Sequence, residues 1–327
     1  MKLTSGRRWT RMSLLAFLLV TPSWTAAQST FGRIVVFGTS LSDPGNAFAL
    51  TGQATTPPYH ALDPFLVPDA PYTRGGHHFS NGATWIEQFA RPLGFAGNVR
   101  PAFQASSAGA SNYAVGGARA HEDTPSLSLS TEVSAFLADF GGVAPPDALY
   151  VVEIGANDIR DALAAFPAGG ISEAAAIINA ALNAIGTNIG VLHAAGARNF
   201  LVWNAPDIGL TPAVRILDGL IPGAAQVASA LTLSFNSGLD VALLRLTGAL
   251  AGIEIMRLDV HQKLNDLIAK PQAFGLKEVH AACVTPNLPP FACQKPDEFL
   301  FWDGIHPTRV VHAILAQHAA SVLAAQR

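Results

Sequence analysis

Four short apolar runs set the fold class. They are Arg33–Phe37 (RIVVF), Asp147–Ile154 (DALYVVEI), Asn199–Asn204 (NFLVWN) and Ile253–Leu258 (IEIMRL). Each is strand-length and bounded by polar or turn residues, so each reads as a buried strand. The stretches around them suit helices. Ser172–Ala195 is Ala-rich and Gly196 stops it. Gly223–Leu250 is helical, with a break expected near Gly238. Ala83–Leu93 and Arg309–Ala325 space their apolar residues for one helical face. Strands alternating with long helices imply parallel pairing and a three-layer α/β/α sandwich. The remaining stretches 51–82, 119–130 and 271–302 read as loops. Residues 28–327 show no repeat or linker and are expected to form one domain. In open parallel sheets the chemistry lies beyond the carboxyl ends of the strands. The residues that follow each strand therefore carry the functional question.

The start of the chain is a separate unit. Lys2, Arg7, Arg8 and Arg11 precede the apolar run Ser13–Val20, and Thr25-Ala26-Ala27 offers small residues for cleavage. This reads as a signal peptide over residues 1–27, which predicts a secreted or periplasmic protein. Eight apolar residues are too few to span a bilayer, and no membrane span is expected later in the chain. Removing the leader takes the net charge from −3 to −7, because four basic and no acidic residues go with it. An acidic chain without a basic cluster excludes nucleic acid as the expected partner. The two cysteines, Cys283 and Cys293, lie in one proline-rich segment, and in an exported chain such a pair reads as a disulfide. Only His280 stands nearby as a further ligand, and His77-His78 lacks acidic or cysteine partners at ligand spacing, so no metal is expected. No Walker loop or dinucleotide fingerprint is visible, and no cofactor is expected.

Four segments can carry chemistry. Gly38-Thr39-Ser40 follows the first strand, where Ser40 is either a nucleophile or the N-cap of the next helix. Gly116-Gly117 follows Ser111–Val115 and is either a tight turn or a place where backbone N–H groups approach a ligand. Gly155-Ala156-Asn157-Asp158 follows the second long strand, and Asn157 either caps a helix or aims its amide into a site. Phe301-Trp302-Asp303-Gly304-Ile305-His306-Pro307 places Asp303 and His306 three apart in a turn. There the carboxylate can hold one imidazole nitrogen while the other takes a proton from a serine.

In this order the segments resemble the GDSL, or SGNH, hydrolases. The matching blocks are FGTSLSDPGN, NYAVGGA, GAND and FWDGIHPT, with FSNGATWIEQFARPLG resembling the lipase-like branch. The resemblance covers residues 33–325. It implies a flavodoxin-like parallel sheet and a serine esterase or lipase. Ser40 would be the nucleophile, His306 the base and Asp303 its orienting carboxylate. The oxyanion donors would be the Ser40 and Gly117 backbone N–H groups, with Gly116 as a rival to Gly117, and the Asn157 amide. Thr39 departs from the pattern, since the family name records an aspartate there. The lipase-like branch includes acyltransferases, so transfer of the acyl group to an alcohol is the alternative. A non-catalytic binding protein is a third reading, with Thr39 as its only support. The substrate is expected to be a small-molecule or lipid ester. Pro57, Pro58, Tyr59, Phe65, Tyr72 and Phe79 are expected to line its pocket.

Overall fold

A computed structural model of the chain describes residues 31–105, 109–122 and 127–326. The expected leader and parts of the 119–130 loop lie outside these. Four strands form one parallel sheet in the order β1 (Arg33–Gly38), β2 (Ala148–Glu153), β3 (Asn199–Trp203) and β4 (Glu254–Leu258). The segment Ser111–Val115 runs alongside the free edge of β1, with Val36 N–H donating to Ser111 O and Tyr113 N–H to Val36 O. The chain thus leaves β1, visits that edge, and returns to the other side of β1 as β2. This reversal of winding is the flavodoxin-type arrangement, and it opens a crevice at the carboxyl ends of the strands.

Side chains alternate cleanly along the strands. Val35, Phe37, Tyr150, Val152, Phe200 and Val202 enter one core with helices α3 (Leu129–Asp139), α4 (Ala156–Ala195) and α6 (Ala224–Ala249). Ile34, Val36, Leu149, Val151, Leu201 and Trp203 enter the other, against α2 (Trp85–Ala90), α7 (Val260–Ala269) and α8 (Arg309–Ala325). Both faces are covered, which is why the strands read as continuous apolar runs. The short helices α1 (Asn46–Thr51) and α5 (Pro212–Leu220) complete the helical set, and β5 (Glu278–Ala282) pairs with β6 (Phe299–Phe301) in a small separate ladder.

Two helix expectations change. The helix expected at Ser172–Ala195 begins at Ala156 and bends at Gly170, where the backbone leaves the helical region (φ 62°, ψ −160°). The 156–169 half hid behind Pro167 and Gly169-Gly170, which read as breakers. Helix α6 runs unbroken through Gly238, whose missing side chain admits Leu182 of α4. By length and composition α4 and α6 could each cross a membrane. Ile178 and Ile185 of α4 and Leu231 and Phe235 of α6 lie in the core beside the sheet, and the two helices pack on each other.

Candidate active site

The carboxyl end of β1 delivers Ser40, and the turn before α8 delivers Asp303 and His306. His306 Nδ1 lies 2.7 Å from Asp303 Oδ2, and His306 Nε2 lies 2.8 Å from Ser40 Oγ. With its Nδ1 proton held by the carboxylate, the imidazole presents Nε2 as an acceptor to the serine hydroxyl. Asp303 is fully buried, His306 nearly so, and Ser40 keeps 8% of its surface open.

The turn that carries Asp303 and His306 is fixed from several sides. Asp303 Oδ1 accepts the N–H groups of Ile305 (2.9 Å) and His306 (2.8 Å). Ala213 N–H at the start of α5 donates to Gly304 O, and Gly304 N–H donates to Leu66 O. Tyr72 Oη donates to Asp303 Oδ2 at 2.9 Å, so that oxygen holds two donors. Burial and the adjacent carboxylate push the Tyr72 phenol well above its ordinary pKa, which keeps it a donor. Tyr72 packs edge-on against Trp302 and Tyr59. The Cys283–Cys293 disulfide belongs to the same cluster.

Three buried carboxylates underlie the serine turn. Glu132 accepts Gly38 N–H (2.7 Å) and Val115 N–H (3.2 Å), tying β1 to its edge segment. Asp43 accepts the N–H groups of Gly45, Ala47 and Gly116. Glu153, at the end of β2, accepts both the Thr39 N–H (3.0 Å) and the Thr39 hydroxyl (2.9 Å). Burial pushes the Glu153 carboxyl up to about 7 and lifts Glu132 and Asp43 as well, against the pull of their N–H donors. The departure at Thr39 has a local reason here. An aspartate at 39 would face Glu153 as a like charge, whereas threonine supplies two donors.

The same network separates the two glycines. Gly116 N–H is held by Asp43, so the rival for the second oxyanion donor is already engaged. Gly117 N–H has no hydrogen-bond partner among the described residues, and neither has Ser40 N–H. Gly117 sits at φ 83°, in the left-handed region, with open space where a Cβ would go. Gly116 is needed for another reason, because a Cβ there would strike the Phe79 ring. Asn157 opens α4 and spends one amide hydrogen on Ala118 O (2.8 Å), while its oxygen receives Arg160 Nη1 (3.4 Å). Both contacts fix the amide and leave its second hydrogen for the crevice.

The crevice itself, about 60 Å³, is lined by Ser40, Leu41, Asn157, Pro206, Ile305 and His306, among others. The aromatic residues expected to line it do not. Tyr59 and Tyr72 are buried behind the Asp303 turn, and Phe79 packs beside the His306 ring at 5.3 Å between centroids. Sequence reading took their aromaticity for a ligand surface, but it serves to pack the turn. Glu132 and Glu153 were missed and Tyr72 was read as pocket lining, since none lies within a motif; a glutamate inside the otherwise apolar run DALYVVEI was the one available signal.

The profile of the family described as GDSL-like Lipase/Acylhydrolase matches residues 34–319. A GDSL esterase/lipase of Arabidopsis thaliana is 25% identical over 92% of this chain and 94% of its own length. A phosphatidylcholine-sterol acyltransferase of Aeromonas hydrophila is 26% identical over 96% of each. Among solved structures, an alpha/beta hydrolase enzyme from the metagenome of Lake Arreo overlays with a TM-score of 0.45 at 10% identity, over 92% of this chain and 99% of that one. With the match running across nearly the whole described sheet and its crevice, the chain belongs to the GDSL-like lipase/acylhydrolase family.

Proposed function

We propose that this chain is an exported serine esterase that cleaves carboxylic esters through an acyl-enzyme on Ser40. The observation that carries the reading is the continuous hydrogen-bonded line from Ser40 through His306 to Asp303. In the first half-reaction Ser40 Oγ bonds to the ester carbonyl carbon while its proton passes to His306 Nε2. The tetrahedral oxyanion is met by Ser40 N–H, Gly117 N–H and the free hydrogen of Asn157. The C–O bond to the alcohol then breaks, and His306 returns the proton to the departing oxygen. Water repeats the sequence and releases the acid. Asp303 stabilises the imidazolium without taking the proton. Export rests on the leader-like residues 1–27.

A second reading is supported by the acyltransferase relative. An alcohol in place of water would attack the same intermediate and give a new ester.

The test is labelling with a fluorophosphonate, alongside turnover of a p-nitrophenyl ester. Ser40→Ala should abolish labelling and lower turnover by about a thousandfold or more. A Ser40→Ala protein with full turnover overturns the mechanism. An unmodified protein that binds esters without releasing acid overturns catalysis altogether. Adding a sterol or other alcohol separates the two readings by product, acylated acceptor against free acid.

A further inference from the structure

Beside the crevice lies a second cavity of about 50 Å³, and the two share Leu41, Pro206, Thr211 and Ile305. Leu41 follows the serine and Ile305 precedes the histidine, so this neck is made by the chain neighbours of the reacting groups. Beyond the neck the walls are Trp203 from the end of β3, Leu264 and Leu267 from α7, and Val311 and Leu315 from α8. Thr211 and Trp203 bring the polar side-chain atoms of the lining. The Thr211 hydroxyl donates to Ile208 O at 2.7 Å, and the buried Trp203 Nε1–H has no hydrogen-bond partner among the described residues. An apolar void of this kind weakens packing and holds water poorly. It suits an alkyl group entering from the serine.

We propose that this cavity is the acyl pocket, and that it selects straight acyl chains of about four to six carbons. The inference rests on the esterase reading and adds its substrate class. A water-sized site takes ~10–15 Å³, so the cavity holds about four non-hydrogen atoms beyond the carbonyl carbon at Ser40. The oxyanion donors lie on Gly117 and Asn157, and the carbonyl oxygen turns toward them. The alkyl group then passes over Leu41 and Ile305 into the cavity, while the alcohol faces the open side of the crevice. No charged side chain lines the cavity, which excludes acyl groups ending in a carboxylate or an amine.

The test is a series of p-nitrophenyl esters from acetate to palmitate, read as kcat/KM relative to acetate within each variant. The unmodified protein should peak at butanoate to hexanoate and fall at decanoate and beyond. Leu264→Ala should raise the decanoate-to-acetate ratio about tenfold or more, and Leu264→Phe should lower the hexanoate-to-acetate ratio by a similar factor, since one methylene in an apolar pocket is worth ~10–200-fold. Leu244→Ser, on the exposed face of α6, is the control and should leave every ratio unchanged. Circular dichroism separates misfolding from altered selection, and Val311→Ala serves as a second enlarging variant. Ser40-dependent release with ratios that ignore both enlarging variants overturns the pocket alone. A flat or rising profile to palmitate in the unmodified protein does the same. Absence of Ser40-dependent release from any ester overturns the esterase reading beneath it.

Discussion

Tyr72 and Glu153 show what single side chains contribute away from the reacting atoms. The Tyr72 hydroxyl holds the same carboxylate oxygen that orients His306. Tyr72→Phe keeps the packing on Trp302 and removes one hydrogen bond, so kcat should fall about tenfold with KM nearly constant and the unfolding midpoint little moved. A parallel rise in KM or loss of fold would instead mark a packing role. Thr39→Asp should destabilise by about 2 kcal/mol in denaturant titration, because two buried acids would meet where donor now meets acceptor. Adding Glu153→Gln should recover most of that loss, since an amide can donate to the new carboxylate. The meeting of Ser40, Asp303 and His306 was legible because each stands at a fixed offset from a strand end or turn. Glu153 and Tyr72 were not, because their partners are 114 and 231 residues away in sequence.

Among the elements, the β5–β6 ladder and its disulfide brace the Asp303 turn. Cys283 N–H donates to Phe301 O and Val284 N–H to Trp302 O, while Trp302 N–H donates to His306 O. Loop closure over the ten-residue separation predicts that replacing both cysteines by serine costs ~3 kcal/mol. Thermal unfolding measures that cost, and specific activity at a temperature where the variant stays folded should also fall. The long helices were easier to read than the small ones. Helix α6 and α8 follow a sustained apolar period, and β1 to β4 are uninterrupted because they are covered on both faces. Most of β5 is open to solvent, β6 is only three residues long, and their pairing is irregular in register, so no period announced them within 271–302. Helix α3 begins inside the stretch 119–130 that read as loop, and its role lies in Glu132, a buried acid on an otherwise ordinary helix.

For the whole molecule, the buried acids under the crevice give stability a pH dependence. The folded Glu153 carboxyl sits near 7, above its ordinary 4.5. Between those values the folded chain holds more protons than the unfolded one, so stability falls as pH rises from about 4.5 to about 7 and levels off above. The contribution from Glu153 is on the order of 3 kcal/mol across that window. Denaturant titrations of the unmodified protein and Glu153→Gln should therefore diverge with pH, and parallel profiles would place the charge elsewhere. The sheet order and the two cores were readable because alternation of strand and helix leaves few ways to wind. The walls of the second cavity were not, because Pro206, Leu264 and Leu315 meet only after four crossovers have closed. That late closure has a consequence in time. Ser40 and His306, joined by a hydrogen bond, lie 266 residues apart in sequence. During synthesis the segment with Ser40 emerges long before the segment with His306, so the hydrogen bond between them forms only once both have been made and the sheet between them has closed.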